Sequence, residues 1–269
     1  MQPIKITSTK NPKIKNCLDL QKKASERRDQ NLCSIEGLRE IGLAKSSGFR
    51  LHTLFFCTEL LDRSTFSTLS MSDFIEVYEV SLQVFETIAY REHRDGVLVL
   101  AHPFRMQLDD LKLSEKPLVV IAETVEKPGN LGALLRTCDA AAVDAVICCD
   151  AQTDLYNPNV IRSSVGCLFT NQVVSCTSQE AIDWLKARGV KIVAAALTAT
   201  EYYHEADLAQ PCALVMGSEA WGLSDKFLSQ ADLTIKIPMQ GKIDSMNVST
   251  SAGILIYEAK RQRGFGFNL

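Results

Sequence analysis

The sequence predicts an α/β protein of two domains, in which a small α/β domain precedes a larger domain built on a mostly parallel sheet with helices on both faces. Three observations support this prediction. At 269 residues the chain exceeds the usual size of one domain. A polar, proline-bounded stretch interrupts the apolar patterning after residue 103. Beyond it, short apolar runs alternate with helical patterns, which is typical of buried parallel strands.

The N-terminal domain is predicted over residues 1–103. Its first element is a basic helix over 11–28, entered through Ser8 and Thr9 with Pro12 in its first turn. The other predicted elements, in chain order, are strand Leu32–Ile35, a helix to about Lys45, strands Leu54–Cys57 and Ile75–Val80, helix Ser81–Ala89 and strand Val97–Ala101.

Residues 104–117 are predicted to be a linker, because they are polar and show no clear periodicity. The second domain is predicted over 118–269. Its predicted strands are Leu118–Ala122, Ala145–Cys149, Val173–Ser175, Lys191–Leu197, Ala213–Met216 and Leu233–Ile237. Helices are predicted over about 130–142, 158–168, 179–188, 224–230 and 246–262.

Composition indicates an ordinary globular protein, with 46% hydrophobic and 23% charged residues. No apolar run approaches the roughly 20 residues that span a bilayer, and the N-terminal residues lack the apolar core of a secretory signal. The nine cysteines form no disulfide framework and no C-x-x-C pair. We therefore expect reduced thiols and a cytoplasmic protein.

Charge is unevenly distributed along the chain. Residues 1–50 contain 11 Lys and Arg against 5 Asp and Glu, a net of +6, and the remainder contains 18 against 27, a net of −9, which together give −3. The basic segment is either an arm that contacts nucleic-acid phosphates or a solvated helix face, and charge alone leaves both interpretations open.

Three loops that follow predicted strands are rich in glycine and small polar residues: ETVEKPGNLGALLR, GSEAWGLS and PMQGKIDSMNVSTS. In open α/β sheets such loops bind ligands. The G-x-G-x-x-G dinucleotide fingerprint and the P-loop are both absent, as are a G-x-S-x-G elbow and any histidine spacing typical of metal ligands. These absences weigh against dinucleotide-binding, hydrolase and metalloenzyme functions.

The three loops resemble, in order, the three motifs of the SpoU/TrmH family of SPOUT methyltransferases. The matching segments are NLGALLR (130–136), GSEAWG (217–222) and IPMQGKIDSMNVSTSAGI (237–254). Two residues depart from the family pattern: Ser251 stands where the family has alanine, and Met246 stands where it usually has leucine. The N-terminal region, through ITSTKNPKIK and SIEGLREI, is similar to the substrate-binding domain often fused in this family.

The resemblance implies transfer of a methyl group from S-adenosylmethionine to a ribose 2′-hydroxyl of structured RNA, without a metal ion. It also implies a trefoil knot in the C-terminal domain and a homodimer. The fused, basic N-terminal domain slightly favours rRNA over tRNA as the substrate.

Five residues are expected to bind the methyl donor by this resemblance: Leu197, Thr198, Gly217, Ile237 and Met246. A glycine permits close approach of a ligand, and apolar residues can frame an adenine while their backbone groups select its edge. Taken alone, Ile237 and Met246 would be interpreted as ordinary core residues.

Five further residues are expected around the reacting groups: Asn130, Arg136, Glu219, Ser245 and Asn247. A guanidinium stays protonated, so we expect Arg136 to clamp a phosphate beside the target ribose, with Arg136 itself, a phosphate oxygen or water left open as the proton acceptor. Without the resemblance, Arg136 would be a surface residue and Ser245 and Asn247 helix caps.

Two other functions stay open at this stage. The protein could be a non-catalytic RNA-binding or ribosome-assembly factor on the same fold, or a different nucleotide-binding α/β enzyme. The intact polar motif residues argue against the first, and the missing phosphate motifs against the second.

Overall fold

A computed structural model describes residues 2–61, 70–91 and 95–266. The described residues form two compact units. The first comprises the chain up to Phe104 together with Tyr156–Thr170, and the second comprises Arg105–Leu155 and the residues from Asn171 onward. The segment 156–170, which the sequence alone groups with residues 118–269, thus packs within the first unit.

The strands, in chain order, are β1 Ile4–Ile6, β2 Cys33–Glu36, β3 Arg50–Phe56, β4 Glu76–Val80, β5 Val97–His102, β6 Leu118–Glu123, β7 Ala145–Cys149, β8 Val173–Cys176, β9 Lys191–Ala195, β10 Glu201–Tyr202, β11 Cys212–Met216 and β12 Leu233–Lys236. The helices are α1 Pro12–Lys22, α2 Ala24–Gln30, α3 Leu38–Ser46, α4 Leu82–Ile88, α5 Pro128–Ala140, α6 Pro158–Ser163, α7 Cys167–Thr170, α8 Ser178–Ala187, α9 Asp225–Gln230 and α10 Val248–Gln262.

The first unit contains a five-stranded mixed sheet in the order β1-β4-β3-β5-β2. β4 lies parallel to both β1 and β3, whereas β5 runs antiparallel to β3 and β2. The strand β1 was missed by the sequence analysis because three residues are too few to display a two-residue period.

The single basic helix predicted over 11–28 is wrong in two respects. The helix begins at Pro12 and is capped by Asn11, whose side-chain oxygen accepts a hydrogen bond from the Lys13 amide at 2.9 Å, not by Ser8 or Thr9. It also breaks at Lys23, whose backbone is extended (φ −113°, ψ 117°). The buried Arg27 guanidinium stabilises the break by donating to the carbonyl oxygen of Leu20 at 2.6 Å.

The helix predicted over 158–168 is also two helices, α6 and α7. Val165 and Gly166 between them have φ of 54° and 83°, which no right-handed helix accommodates. A Cβ on Gly166 would lie 2.8 Å from Cδ1 of Leu43, so the turn packs closely against α3. Beyond the turn, the ring of Phe169 packs edge-on against Phe49 with centroids 4.9 Å apart.

The second unit contains a seven-stranded, fully parallel sheet in the order β10-β12-β9-β11-β6-β7-β8. Every residue of its central strands β6, β7 and β11 is buried, which confirms the predicted parallel sheet. One face packs against α8 and α9, whose buried side chains include Ile182 and Phe227. α5 and α10 pack against each other, and α10 also contacts β11. The two-residue strand β10 was not predicted.

The segment predicted as a linker is held along the second unit. Met106 forms a parallel bridge with Val174. The Lys112 amide donates to the side chain of Gln172 at 2.9 Å, and the Ser114 amide donates to Asp144 at 2.7 Å. Polar side chains thus satisfy its backbone, which explains why a segment without periodicity is ordered.

No helix among the described residues is long and apolar enough to cross a membrane. All nine cysteines have free thiols, as expected, and eight of them are buried. Burial raises the pKa of the Cys148 thiol to about 12, so this thiol stays protonated at neutral pH.

Candidate functional site

A pocket of about 440 Å³ opens beyond the carboxyl ends of β11, β9 and β12, three strands that are neighbours in the parallel sheet. A pocket of this volume can hold a small organic molecule. Its walls combine the loops after these strands with the start of α10. The location is the one expected for a ligand site in an open α/β sheet.

All five residues expected to bind a donor line this pocket: Leu197, Thr198, Gly217, Ile237 and Met246. The strands end earlier than predicted, β9 at Ala195 and β12 at Lys236. Leu197 and Thr198 therefore lie in a turn instead of ending a strand, and Ile237 begins a loop. Whether these residues bind a donor stays a prediction, but the fold brings them together.

The middle motif forms a closed turn between Ser218 and Gly222. Two backbone hydrogen bonds of 3.0 Å join these residues, one in each direction. A Cβ on Gly217 would lie 2.2 Å from the carbonyl carbon of Gly222, far inside contact distance. Gly222 itself has φ of 70°, which favours glycine. The turn's own closure thus requires the absence of a side chain at 217, independently of any ligand.

A chain of side-chain hydrogen bonds connects the three motifs. Asn247 donates from Nδ2 to Oδ1 of Asn130 at 3.0 Å, and Asn130 donates from Nδ2 to Oε1 of Glu219. Asn247 is also the N-cap of α10, accepting from the Ser249 amide at 2.9 Å. Asn247 therefore caps the helix, as expected, and also belongs to the polar cluster formed by Asn130, Glu219 and Asn247. The side-chain oxygens of Asn130 and Asn247 each accept a hydrogen bond, which defines the direction of donation from Asn247 through Asn130 to Glu219.

Ser245 lines the pocket but lies outside this hydrogen-bond chain. Its Oγ donates to the neighbouring Asp244 carboxylate at 3.1 Å. Its hydroxyl is exposed at the pocket edge, which leaves it accessible to a bound molecule.

Arg136 lies on the exposed side of α5 and does not line the pocket of its own chain. Six residues separate it from Asn130, which places it about 9 Å further along the helix axis and about a third of a turn away around it. Within the described parts of the chain, its guanidinium has no hydrogen-bond or ion-pair partner. The structure thus assembles Asn130, Glu219 and Asn247, but not Arg136, into one cluster.

Sequence reasoning missed several residues that shape the pocket. Met216 and Leu223 are 4% and 9% exposed and form apolar walls, and Trp221 stands on the rim with 87% exposure. Each is adjacent to a motif glycine, and adjacency was the signal that could have identified them. Lys236 is the cation among the lining residues.

Ion pairs occupy part of the basic N-terminal segment. Lys13 contacts Glu76 at 2.6 Å and Lys45 contacts Asp73 at 2.5 Å. Arg27 is buried. The net charge of +6 therefore overstates the positive surface of this segment. No cluster of three metal-ligating side chains occurs within residues 2–61, 70–91 and 95–266.

The fold and the pocket define a class: an α/β protein whose parallel sheet presents a small-molecule site at the carboxyl ends of its strands. Residues 117–257 match the SpoU rRNA Methylase family, and residues 11–99 match the MRM3-like substrate binding domain. The chain belongs to the SpoU rRNA Methylase family, which confirms the resemblance seen in its motifs.

Similar proteins match either the whole chain or part of it. The 23S rRNA (guanosine(2553)-2′-O)-methyltransferase of Bacillus subtilis is 31% identical over 95% of this chain and 98% of its own length. The structure of an AdoMet-bound rRNA methyltransferase from Sinorhizobium meliloti has a TM-score of 0.88 at 28% identity, covering 97% of this chain and 98% of that one. The tRNA (guanosine(18)-2′-O)-methyltransferase of Thermus thermophilus is 36% identical, but over 59% of this chain and 82% of its own length.

Proposed function

We propose that this protein transfers the methyl group of S-adenosylmethionine to a ribose 2′-hydroxyl of structured RNA. The observation that carries the proposal is the joining of all three family motifs at one pocket. The loops of the second and third motifs line it, and Asn130 of the first motif is tied to them by its hydrogen bonds with Asn247 and Glu219. The intact polar residues of this arrangement argue against a non-catalytic assembly factor.

The pocket suits S-adenosylmethionine in size and chemistry. Apolar side chains of Met216, Leu223 and Ile237 offer surfaces for an adenine, and the loop backbone offers donors and acceptors for its edge. Gly217, without a Cβ, lets the loop backbone pack tightly. When bound, the donor supplies a methyl group already activated by its sulfonium charge.

The residues of the chain supply alignment. Glu219, fixed through Asn130 to Asn247, holds the middle motif against the start of α10. A rigid frame of this kind places an acceptor hydroxyl in line with the donor, and alignment is a large source of rate.

We further propose that Arg136 clamps a phosphate beside the target ribose, while a phosphate oxygen or water takes the proton. A guanidinium binds phosphate through two parallel hydrogen bonds, which lysine cannot reproduce. Arg136→Lys should therefore lose most of the methyl transfer. A near wild-type rate would contradict the clamp.

The same placement supports the proposal of a homodimer. Arg136 stands away from the pocket of its own chain, on an exposed helix face, so a second copy is the natural route by which it reaches a site. Equilibrium sedimentation tests the dimer directly. The trefoil knot expected in this family stays a prediction.

The substrate is proposed to be rRNA in preference to tRNA. The supporting observation is coverage: the 23S rRNA enzyme of Bacillus subtilis matches nearly the whole chain, whereas the tRNA enzyme of Thermus thermophilus matches 59% of it. This chain also contains, over residues 11–99, a region that matches the MRM3-like substrate binding domain.

Two experiments test the proposal. Calorimetry with S-adenosylmethionine should show saturable binding, and its absence at millimolar donor would reject the methyltransferase. Mass spectrometry of 2′-O-methyl nucleotides, in rRNA and tRNA from cells with and without the gene, should reveal one missing methyl in rRNA. Donor binding without a missing methyl would favour an assembly factor.

A further inference from the structure

Trp221 is the most exposed large hydrophobic residue at the pocket, with 87% of its surface accessible. Single apolar residues are common on protein surfaces. This indole, however, stands on the rim of the pocket and two residues from Glu219. Two residues span at most about 7 Å of extended chain, which is roughly the length of one nucleotide. One nucleotide at Glu219 could therefore reach the indole.

The backbone holds Trp221 in place. The Ser218–Gly222 hydrogen bonds close the turn that carries it, and its own amide donates to Ser218 Oγ at 3.1 Å. The closed turn fixes the backbone from which the indole projects, so binding a ligand orders only the side-chain torsions of Trp221.

The high exposure of Trp221 argues against a position inside the pocket that is proposed to bind the donor. Met216 and Leu223, which form the apolar walls, are 4% and 9% exposed. Trp221 lies where the pocket meets the outside, next to the polar cluster. A ligand that extends outward from the pocket would meet it.

Exposed aromatic rings and a cation favour nucleic acid over protein as that ligand. Lys236 lines the same pocket, together with the carboxylates of Glu219 and Asp244, and its ammonium lies 5.4 Å from the ring centre of Tyr202. Tyr202 in turn stacks on His204 with ring centres 5.7 Å apart and planes within 9°. Exposed rings interleaved with a cation are typical of surfaces that bind single-stranded nucleic acid.

We propose that Trp221 stacks on the base of the nucleotide that is methylated, or of its neighbour, and so positions the ribose at the pocket. The inference rests on the proposed function. Ribose recognition in structured RNA commonly needs an unpaired base, and an aromatic face binds any base. The residue would thus set the orientation of the acceptor and leave donor binding unaffected.

Two substitutions separate stacking from simple apolar contact. Trp221→Phe keeps a flat ring, whereas Trp221→Leu keeps an apolar side chain without one. Stacking contributes about 1–3 kcal/mol per base, so Trp221→Leu should lower kcat/KM for rRNA about 5- to 150-fold. The rRNA used as acceptor is extracted from cells lacking the gene, and the loss should appear mainly in KM for RNA. Trp221→Phe should recover most of it.

Three results would overturn the inference. Leucine and phenylalanine could behave alike, Trp221→Leu could weaken binding of S-adenosylmethionine measured without RNA, or it could change the oligomeric mass in solution. The second result would assign the indole to the donor, and the third would assign it to an interface with another copy.

A second measurement does not depend on turnover. The chain has two tryptophans, and Trp184→Phe leaves Trp221 as the single emitter. Trp184 is buried, and among the described residues its indole N–H has no hydrogen-bond partner. Phenylalanine therefore removes no hydrogen bond there and keeps a ring beneath the Arg188 guanidinium. Hexa-adenylate should quench the remaining emission. Quenching without any methyl transfer would reject the proposed function alone, whereas transfer without quenching would reject the stacking.

Discussion

Replacement of Gly217 by alanine is expected to open the turn of the middle motif. The new Cβ would lie 2.2 Å from the Gly222 carbonyl carbon, and ordinary contact begins at 3.4 Å. The two sides of the turn must therefore separate by about 1.2 Å, the difference of these two distances. The two 3.0 Å backbone hydrogen bonds between Ser218 and Gly222 would then stretch beyond hydrogen-bonding length.

The size of the effect follows from these bonds. Two lost backbone hydrogen bonds contribute about 1–3 kcal/mol, similar to the cost of overpacking by one methyl group. Glu219 moves with the turn and the pocket wall changes shape. If about 2 kcal/mol of this cost weakens donor binding, the Kd for S-adenosylmethionine should rise about 30-fold.

Isothermal titration calorimetry measures this change, with thermal unfolding as a check on folding. Gly241→Ala is the matched control, because Gly241 lies in the third motif and no atom of the described residues lies within 4 Å of its added Cβ. The control should bind the donor like the wild type. A Gly217→Ala variant that binds within about twofold of wild type would refute the reasoning, since a turn that absorbs 1.2 Å without loss is not rigid.

Other predictions concern the polar chain, the dimer and a buried carboxylate. Asn130→Asp places a carboxylate against Glu219 and removes the donor between them, so methyl transfer should fall about 10- to 100-fold in a tritium assay. Arg136→Ala and Glu219→Ala subunits, each expected to be inactive, can be dissociated and mixed. If Arg136 completes the pocket of the partner subunit, the mixture should regain about a quarter of wild-type activity. No recovery would place Arg136 at the pocket of its own chain. Burial raises the pKa of Glu36, opposed by backbone hydrogen bonds from Tyr90 and Arg91 and by the charge of Arg91. A raised folded pKa contributes stability at low pH that is lost as pH rises, so wild-type Tm relative to Glu36→Gln should increase from pH 7 to pH 5. A pH-independent difference would contradict this.

The motif residues show what local sequence patterns could and could not predict about the site. Asn130, Glu219 and Asn247 are far apart in sequence, and their location around the same reacting groups was expected from family motifs, not from periodicity. The structure shows that they also contact one another. Arg136 belongs to the same motif as Asn130, yet the helix places it on another face. Motif membership thus nominated candidate residues but did not predict which of them meet within one chain.

Helix boundaries show the same limit. The break at Lys23 depends on a buried Arg27 that binds the carbonyl groups ending α1, and the break before α7 depends on close packing against Leu43. The basic patterning of 11–28 continues through the first break without a signal. Tertiary contacts overrode a local preference in both cases.

The sequence by itself determined the α/β class, the parallel sheet and the family, because buried strands must be apolar throughout and the motifs must occupy the loops that follow them. Only the tertiary structure decided that residues 156–170 pack with the first unit, that Gly217 is required by the turn, and that Trp221 is exposed at the pocket rim. These features depend on distances between segments remote in the chain. Such distances leave no periodic trace in the sequence, because packing, and not local propensity, sets them.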